Sequence, residues 1–230
     1  MFYLSHNKFS NHRSVIRQHL LNATLGQKST ISGTIVTLAV FFTLWIVIMD
    51  CVSKDTPHSG DLLFCVQQDS DMEKAIGSST GEYTHVAILE VDNNGRIWII
   101  EATSGVGVHR IPFRHWKKDN GIFRVYRLSI PFDTAAVIAR AKSFIGQPYD
   151  DSFLPDNGSL YCSELVYEAF LDSSGKHLFE NQPMNFRDKN GKMPRYWKRH
   201  FRKLGIPIPE GVPGTNPTDM AKSKLLNQVL

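Results

Sequence analysis

One β-hairpin constrains the fold of this chain more strongly than any other feature of its sequence. Residues 84–91 and 96–102 are rich in β-branched and apolar side chains, and residues 92–95, which are Asp-Asn-Asn-Gly, separate them. An Asn-Gly pair between two such segments is typical of a tight turn between antiparallel strands. The sequence therefore predicts an antiparallel strand pair to which further strands can add.

The length of the hairpin loop decides which side chains share a face of the sheet. A loop of residues 93–95, with Gly95 in the left-handed conformation, places Ala87 opposite Glu101. His85 and Glu101 then lie on one face as diagonal neighbours. A loop of two or four residues would turn Glu101 to the opposite face, because side chains alternate along a strand.

The hydrophobic pattern predicts further elements on both sides of the hairpin. Residues 67–83 are polar and predict a loop with room for a short helix. The other predicted elements are strands at residues 61–66, 106–108 and 122–128, and helices at 133–145, from about 162, and at 194–204. Strands followed by helices indicate an α+β domain with a mostly antiparallel sheet.

A helix that begins near Cys162 would place this thiol where a negative charge is favoured. The apolar residues that follow at helical spacing are Leu165, Val166, Ala169 and Phe170, and they predict a buried helix face. Cys162 then lies in the first turn, where unpaired backbone N–H groups and the helix dipole stabilise an anion. Such a position can lower the pKa of a thiol from ~8.5 into the range ~3.5–7.5. A buried structural cysteine is the alternative interpretation.

A nucleophilic thiol also needs a base that later protonates the leaving group, and His85 is the candidate. It lies in a strand between apolar neighbours, at the expected edge of the core. A third polar group commonly orients such an imidazole, and Glu101 on the adjacent strand can accept its ring N–H. Taken singly, His85 can be structural and Glu101 can face solvent. The other histidines, His109 among them, show no partner pattern.

Composition and charge exclude two classes of function. The chain has 230 residues, 42% of them hydrophobic, and a formal net charge of +4. Of this charge, +3 precedes residue 52, from Lys8, Arg13, Arg17 and Lys28 against Asp50. The remainder is close to neutral and lacks the basic surface of a nucleic-acid-binding protein. The three cysteines show no zinc-type spacing, so we expect no metal, no cofactor and no nucleic-acid partner.

Residues 31–49 carry no charge and are apolar, which predicts a transmembrane helix because about this length spans the hydrocarbon core of a bilayer. A cleaved secretory signal is the main alternative, although its apolar region is usually shorter and ends in small residues. Asp50 before Cys51 fits lipoprotein processing poorly. Basic residues precede the segment, so the N-terminus is expected in the cytoplasm and the residues after about 52 outside it.

The segment at residues 194–204 predicts an amphipathic basic helix. Trp197, Phe201 and Leu204 lie on one side of it, and arginines and lysines surround them. Such a helix can rest on anionic lipid head groups, or its aromatic side chains can simply pack on the domain. The residues from 207 onward are rich in Pro and Gly and predict an extended tail.

Several segments of the chain resemble those of a known enzyme family. They are Gly60-Asp61-Leu62-Leu63-Phe64, Thr84-His85-Val86-Ala87-Ile88, Ile100-Glu101-Ala102-Thr103 with Gly105-Val106, Gly146-Gln147-Pro148-Tyr149-Asp150, Tyr161-Cys162-Ser163-Glu164-Leu165-Val166, and the ending Gly211-Val212-Pro213-Gly214-Thr215-Asn216-Pro217. Over about residues 57–217 the chain looks like the permuted, YiiX-like branch of the NlpC-type papain-like cysteine hydrolases. In that branch the histidine strand precedes the cysteine helix, the reverse of the order in papain. This chain has the permuted order.

The resemblance implies a role for each candidate residue. Cys162 is the nucleophile, His85 is the general base and then the general acid, and Glu101 orients the imidazole. Tyr149 either polarises the substrate carbonyl or packs at the exit of its loop. The backbone N–H of Cys162, at a helix N-terminus, is a natural donor to the developing oxyanion.

The expected fold is α+β and papain-like, circularly permuted, with a mostly antiparallel sheet or small barrel packed against helices and one preceding transmembrane helix. The expected organisation is a basic N-terminal segment at 1–30, a transmembrane signal-anchor at 31–49, a linker at 50–58, a catalytic domain at 59–206 and a Pro/Gly-rich tail at 207–230.

The expected function is that of a membrane-anchored, extracytoplasmic cysteine hydrolase, which cleaves amide bonds through an acyl-thioester on Cys162. Its substrate is expected to be a peptide, such as a cell-wall peptide, or a small acylated compound. Two alternatives stay open: a lipid acyl hydrolase or acyltransferase of the same fold, and a papain-like module that only binds a ligand. If residues 1–50 are cleaved, the protein is secreted instead of anchored.

Overall fold

The computed structural model describes residues 56–66 and 70–230. The predicted transmembrane signal-anchor at residues 31–49 lies outside these residues, as do the basic N-terminal segment and most of the predicted linker. Within the two described stretches, no helix is long and apolar enough to cross a membrane.

Eight strands and six helices make up the described part of the chain. The strands are β1 (Leu62–Val66), β2 (Tyr83–Val91), β3 (Ile97–Thr103), β4 (Gly107–Pro112), β5 (Phe123–Leu128), β6 (Gln182–Pro183), β7 (Pro213–Gly214) and β8 (Leu226–Gln228). The helices are α1 (Asp71–Thr80), α2 (Phe113–Asp119), α3 (Thr134–Ser143), α4 (Cys162–Ala169), α5 (Arg195–Leu204) and α6 (Pro217–Ala221).

The main sheet has six strands in the order β4-β3-β2-β1-β5-β8, and each neighbouring pair is antiparallel. Strands β4 and β8 form its two edges, so the sheet is open in the described part of the chain. The alternative of a small barrel was therefore wrong, whereas a mostly antiparallel sheet packed against helices was correct. Short strands β6 and β7 form a separate pair.

The hairpin of β2 and β3 has the register predicted for a three-residue loop. Ile88 pairs with Ile100 and continues the ladder toward the turn. The backbone N–H of Asp92 donates to the carbonyl of Arg96 at 2.9 Å, and Gly95 has a φ of +73°. A residue with a side chain rarely adopts this left-handed conformation, so Gly95 helps to fix the register.

Helices α3 and α4 cover one face of the sheet and bury the larger core. Helix α4 contributes the residues predicted from its helical spacing, and the sheet contributes the side chains of β1 and β2 that alternate toward them. The fully buried members from these elements include Leu62, Phe64, Val86, Ile88, Leu165, Val166 and Ala169. This packing holds the first turn of α4 against the middle of the sheet.

Helix α2 covers part of the opposite face and was not predicted. It has only seven residues, and its N-cap, Pro112, makes no side-chain capping bond. A helix of two turns shows too little periodicity to be recognised from sequence. Its buried Trp116 joins a second cluster with Leu63, Leu89 and Ile99, and this tryptophan also reaches the candidate site.

Helix α5 packs its aromatic side chains into the protein, as in the simpler of its two predicted interpretations. Trp197 and Phe201 are buried in a third cluster with Phe153 and Phe186. Leu204, expected on the same side, is largely exposed. The aromatic face of this helix is therefore already occupied by the domain.

Residues 207–230 belong to the domain and are not a separate tail. Helix α6 contributes buried Met220 to the larger core, and β8 pairs with β5 along one edge of the sheet. The catalytic domain therefore extends past the boundary predicted at residue 206. Residues 71–80, part of a segment predicted as a loop with room for a short helix, form a ten-residue helix that begins with a capping box between Ser70 and Glu73.

Candidate active site

Cys162 is the first residue of α4, as its sequence position predicts. The preceding residue, Tyr161, is extended, with φ −91° and ψ 172°. The backbone N–H of Cys162 therefore has no acceptor within its own helix. Only 5% of Cys162 is exposed, so a substrate must reach the thiol through a cavity rather than at an open surface.

His85 and Glu101 are joined by a short hydrogen bond, with His85 Nε2 2.6 Å from Glu101 Oε2. Their side chains are 13% and 5% exposed. The imidazole also forms a hydrogen bond with the Cys162 side chain. Since Glu101 occupies Nε2, Nδ1 is the ring nitrogen left for the thiol. The structure thus brings together the three residues that the sequence placed on separate elements.

The charges of this cluster stabilise one another despite their burial. Burial lowers the pKa of His85, but hydrogen bonds and charge interactions with Cys162 and Glu101 outweigh it and raise the pKa to about 10. Burial raises the pKa of Glu101, but hydrogen bonds from His109 and His85 outweigh it and lower the pKa to about 2. The arrangement therefore favours an imidazolium beside a carboxylate across the neutral range.

Two further side chains hold Glu101, and the sequence indicated neither. Trp116 Nε1 donates to Glu101 Oε2 at 2.7 Å. His109 lies directly opposite Glu101 in the β3–β4 pair, with its Nε2 3.3 Å from Glu101 Oε1. The predicted strand ended at residue 108, whereas β4 continues to Pro112. Its extension by one residue would have placed a histidine beside the carboxylate.

Both ring nitrogens of His109 face acceptors. Nδ1 lies 3.1 Å from the carbonyl oxygen of Gly107, and Nε2 faces the Glu101 carboxylate. Only the imidazolium has an N–H at both positions. The hydrogen bond with Glu101 accordingly raises the pKa of His109 above its usual value. Glu101 thus accepts hydrogen bonds from three directions, which fixes its position behind His85.

Tyr149 lies beside the thiol, in the loop between α3 and α4. It is half-buried and lines the two cavities that Cys162 also lines. Burial raises the pKa of its phenol, and the nearby Cys162 charge adds to this shift. Its predicted role as a group that polarises the substrate carbonyl stays a prediction.

The loop that carries Tyr149 is fixed by a close backbone contact with β4. The N–H of Val108 donates to the Gln147 carbonyl, and the N–H of Gly146 donates to the Val108 carbonyl, both at 2.9 Å. A Cβ added at Gly107, whose φ is +85°, would lie 2.2 Å from the Gln147 oxygen. Glycine is therefore required at this position on two grounds, its backbone conformation and the space available.

A cavity of about 250 Å³ gives access to the thiol and the imidazole together. Both Cys162 and His85 line it, and its other walls come from the start of α1, the end of β3 and the residue after α2. The wall residues besides Tyr149 are Ser70, Met72, Glu73, Ile76, Thr84, Ala102, Thr103, Ser104 and Asn120. Its size is near the lower end of the range for small-molecule sites.

The second described cysteine has no place in this chemistry. Cys65 is fully buried in β1, and burial raises the pKa of its thiol well above the usual value. Its Sγ lies 3.7 Å from Asn120 Oδ1. These features are those of a packed, unreactive cysteine. Among residues 56–66 and 70–230, no group of three or more His, Cys, Asp and Glu side chains is arranged to hold a metal ion.

Comparison with known proteins gives consistent results for family and fold. Residues 56–230 match the model of the permuted papain-like amidase enzyme, YaeF/YiiX, C92 family. The uncharacterized protein YiiX of Escherichia coli (strain K12) is 26% identical over 162 residues, which cover 68% of this chain and 78% of that protein. The crystal structure of "metalloprotein yiiX" from Escherichia coli O157:H7 superposes with a TM-score of 0.65 at 24% identity, covering 76% of this chain and 97% of that chain. At this identity the superposition shows that the folds are alike.

Proposed function

This chain belongs to the permuted papain-like amidase (YaeF/YiiX) family, and from that premise we propose that it hydrolyses amide bonds through an acyl-thioester on Cys162. Membership makes it a cysteine hydrolase of the amidase and peptidase kind. The observation that carries the finer assignment is the buried chain of hydrogen bonds from Cys162 through His85 to Glu101.

In the acylation step, Cys162 Sγ attacks the carbonyl carbon of the scissile amide. The carbonyl oxygen becomes an oxyanion and accepts a hydrogen bond from the free N–H of Cys162, with Tyr149 as a second candidate donor. As the C–N bond breaks, His85 donates its proton to the leaving nitrogen. The products of this half-reaction are an amine and a thioester on Cys162.

In the deacylation step, neutral His85 takes a proton from water while the water oxygen attacks the thioester carbonyl. The C–S bond then breaks and the carboxylic acid leaves. This step restores the pair of Cys162 thiolate and His85 imidazolium. Glu101 stabilises the imidazolium in both steps and keeps the ring in one orientation.

No step is assigned to a metal ion. The related protein from Escherichia coli O157:H7 is called a metalloprotein, but the most obvious donors here are already occupied. Both oxygens of Glu101 interact with ring nitrogens, those of His85 and His109. Within the described stretches, no larger cluster of metal-binding side chains offers a substitute.

We further propose that the enzyme acts outside the cytoplasm, on peptides such as those of a cell wall, and is anchored through residues 31–49. The support is the uncharged segment with basic residues before it. Extraction of membranes with alkaline carbonate tests the anchor: the full chain should stay in the pellet, and release into the supernatant would contradict it. A lipid substrate has less support, because the aromatic face of α5 is buried in the domain.

The catalytic assignment is tested by the rate at which iodoacetamide alkylates Cys162 as a function of pH. We expect rapid labelling of the wild type below pH 7 and labelling slower by about 10²-fold or more in His85→Ala, since the imidazolium stabilises the reactive thiolate. Peptide mass mapping separates Cys162 from Cys65, and Cys162→Ser gives the background. Slow labelling with an ordinary thiol profile in both proteins would leave the chain as a binding module.

A further inference from the structure

A second, smaller cavity also adjoins Cys162 and shares the wall residues Ile76, Thr84 and Tyr149 with the first. Its volume is about 30 Å³, and Cys162 lines it but His85 does not. Its walls are mainly apolar and aromatic. They include Ile76, Phe153, Tyr161, Met184, Phe186 and Trp197, and apart from the nucleophile Cys162 none of the residues that line it is a charged one.

Three hydroxyl groups in the wall of this cavity have no hydrogen-bond partner in the described part of the chain. They belong to Thr84 at the start of β2, to Ser163, the residue after the nucleophile, and to Thr215 between β7 and α6. Thr84 is 2% exposed and Ser163 is 0% exposed. Buried hydroxyls without partners are rare in folded proteins, because burial removes their bonds to water. Three of them around one cavity indicate a polar group that binds there, and Ser163 and Thr84 are the two that are adjacent in sequence to Cys162 and His85.

The absence of His85 from the walls of the small cavity identifies which part of the substrate enters this cavity. His85 delivers its proton to the leaving nitrogen, so the leaving amine must lie on the side of Cys162 that His85 also lines. The cavity of about 250 Å³, which both Cys162 and His85 line, therefore receives the leaving amine. The group on the other side of the scissile carbonyl, the acyl part, therefore faces the small cavity.

The volume of the small cavity limits the size of that acyl group. A cavity needs about 10–15 Å³ to hold a single water molecule, so about 30 Å³ accommodates a substituent of two or three heavy atoms. A long fatty-acyl chain does not fit. Since no side chain of Asp, Glu, Lys, Arg or His lines the cavity, a neutral polar group fits better than an ammonium or a carboxylate.

We propose that this cavity selects acyl groups with a small side chain that carries a hydroxyl, of the size of serine, and that Thr84 and Ser163 bind this hydroxyl. The proposal rests on the proposed cysteine hydrolase activity and names its acyl specificity. Each protein hydroxyl can donate one hydrogen bond and accept another. The substrate hydroxyl therefore pairs with both of them, and the aromatic walls exclude bulkier side chains.

Active esters test the proposal because they acylate the thiol without any need for a recognised leaving group. The probes are the p-nitrophenyl esters of N-acetylated glycine, alanine, serine, valine and leucine, and the reading is the rate of acylation of Cys162 by mass spectrometry. We expect the serine ester to react about tenfold faster than the alanine ester, and the leucine ester to be the slowest.

Two variants remove the hydroxyls from different elements. Thr84→Val and Ser163→Ala should each bring the ratio of serine to alanine rates close to one, and the ratio is measured within each variant so that a general change in acylation rate cancels. Thr80→Val is the matched control, because Thr80 lines the same cavity but donates to the Ile76 carbonyl, so the ratio should not change. If Thr84→Val does not fold, Thr84→Ser, which keeps the hydroxyl, should retain the ratio.

The result that overturns the proposal is fast alkylation together with equal acylation by the serine, alanine and leucine esters. A serine preference that survives both hydroxyl deletions would also overturn it. Slow alkylation of wild-type Cys162, with no acylation by any ester, would instead refute the catalytic assignment on which the proposal depends. The alkylation rate thus distinguishes the two failures.

Discussion

Replacement of Glu101 by glutamine removes the buried charge that holds His85 and His109. The pKa of Glu101 lies at about 2 instead of 4.5, and each pKa unit corresponds to about 1.4 kcal/mol. The difference amounts to about 3 kcal/mol of folding stability at neutral pH. Since the carboxylate is only 5% exposed, solvent screens little of it. We expect Glu101→Gln to lose most of this folding stability, because a neutral amide keeps at most part of the hydrogen bonds that the carboxylate accepts.

The lowered pKa of Glu101 also predicts how the difference in folding stability between wild type and variant changes with pH. A carboxyl group whose pKa is lowered by folding stabilises the protein fully above its unfolded pKa, and that stability is lost as the pH falls through the folded value. The free energies of unfolding of wild type and Glu101→Gln should therefore differ by about 2–3 kcal/mol at pH 7 and converge as the pH approaches 2.

Urea denaturation at pH 7 and at lower pH, followed by tryptophan fluorescence, measures this difference. Glu82→Gln is the matched control, since Glu82 forms an exposed ion pair with Arg124, and such pairs contribute less than about 1 kcal/mol. If Glu101→Gln lowers the free energy of unfolding no more than Glu82→Gln does, or by an amount that does not change with pH, the histidines do not stabilise the charge of Glu101.

The same contacts lead to three further predictions. His109→Gln should slow Cys162 alkylation below pH 7 several-fold, because Glu101 loses a fixed partner, and an unchanged pH profile would show that His109 only packs there. The catalytic rate should fall as the pH rises through about 10, the pKa of His85, since the general acid is then deprotonated; a fall centred near 6.5 would contradict the ion pair. Gly107→Ala should destabilise the fold by about 3 kcal/mol or more, because strain at positive φ adds to a clash with the Gln147 carbonyl. Gly146→Ala, at φ +94° but with open space, should cost only the strain, and equal thermal shifts in the two variants would contradict the clash.

The parts of the site that could be predicted from the sequence depend on local patterns. The turn at residues 92–95 fixes the hairpin register, and this register places His85 and Glu101 on one face. Helical spacing after Cys162 places the thiol at a helix start. Both inferences need only neighbours in sequence and the alternation of side chains, which is why the structure agrees with them.

The parts that could not be predicted depend on packing between distant segments. Trp116 reaches Glu101 from a helix too short to leave a periodic pattern, and His109 lies just beyond the predicted end of its strand, which in the structure continues to Pro112. The small cavity brings together residues as far apart as Thr84 and Trp197, and its volume depends on how their side chains pack. No single stretch of sequence contains that information.

The edge of the sheet gives a related case. Residues 207–230 contain four prolines, all within 207–217, and two glycines at 211 and 214. This composition predicted an extended tail. Extended chain can also close a sheet edge, and β8 does so by pairing with β5. Within this segment residues 217–221 instead form the helix α6, and only the fold shows that residues 226–228 have a partner strand.

The most direct test of the central claim is detection of the acyl-thioester on Cys162. Wild-type protein mixed with the serine active ester and quenched in acid within the first turnover should gain the mass of one acyl group on the peptide that contains Cys162, and neutral hydroxylamine should release it. We expect His85→Ala to accumulate little of this species under the same conditions, because its thiol lacks the imidazolium partner. Absence of the adduct on wild-type Cys162, or its formation at the same rate in His85→Ala, would contradict catalysis by the Cys162–His85 pair.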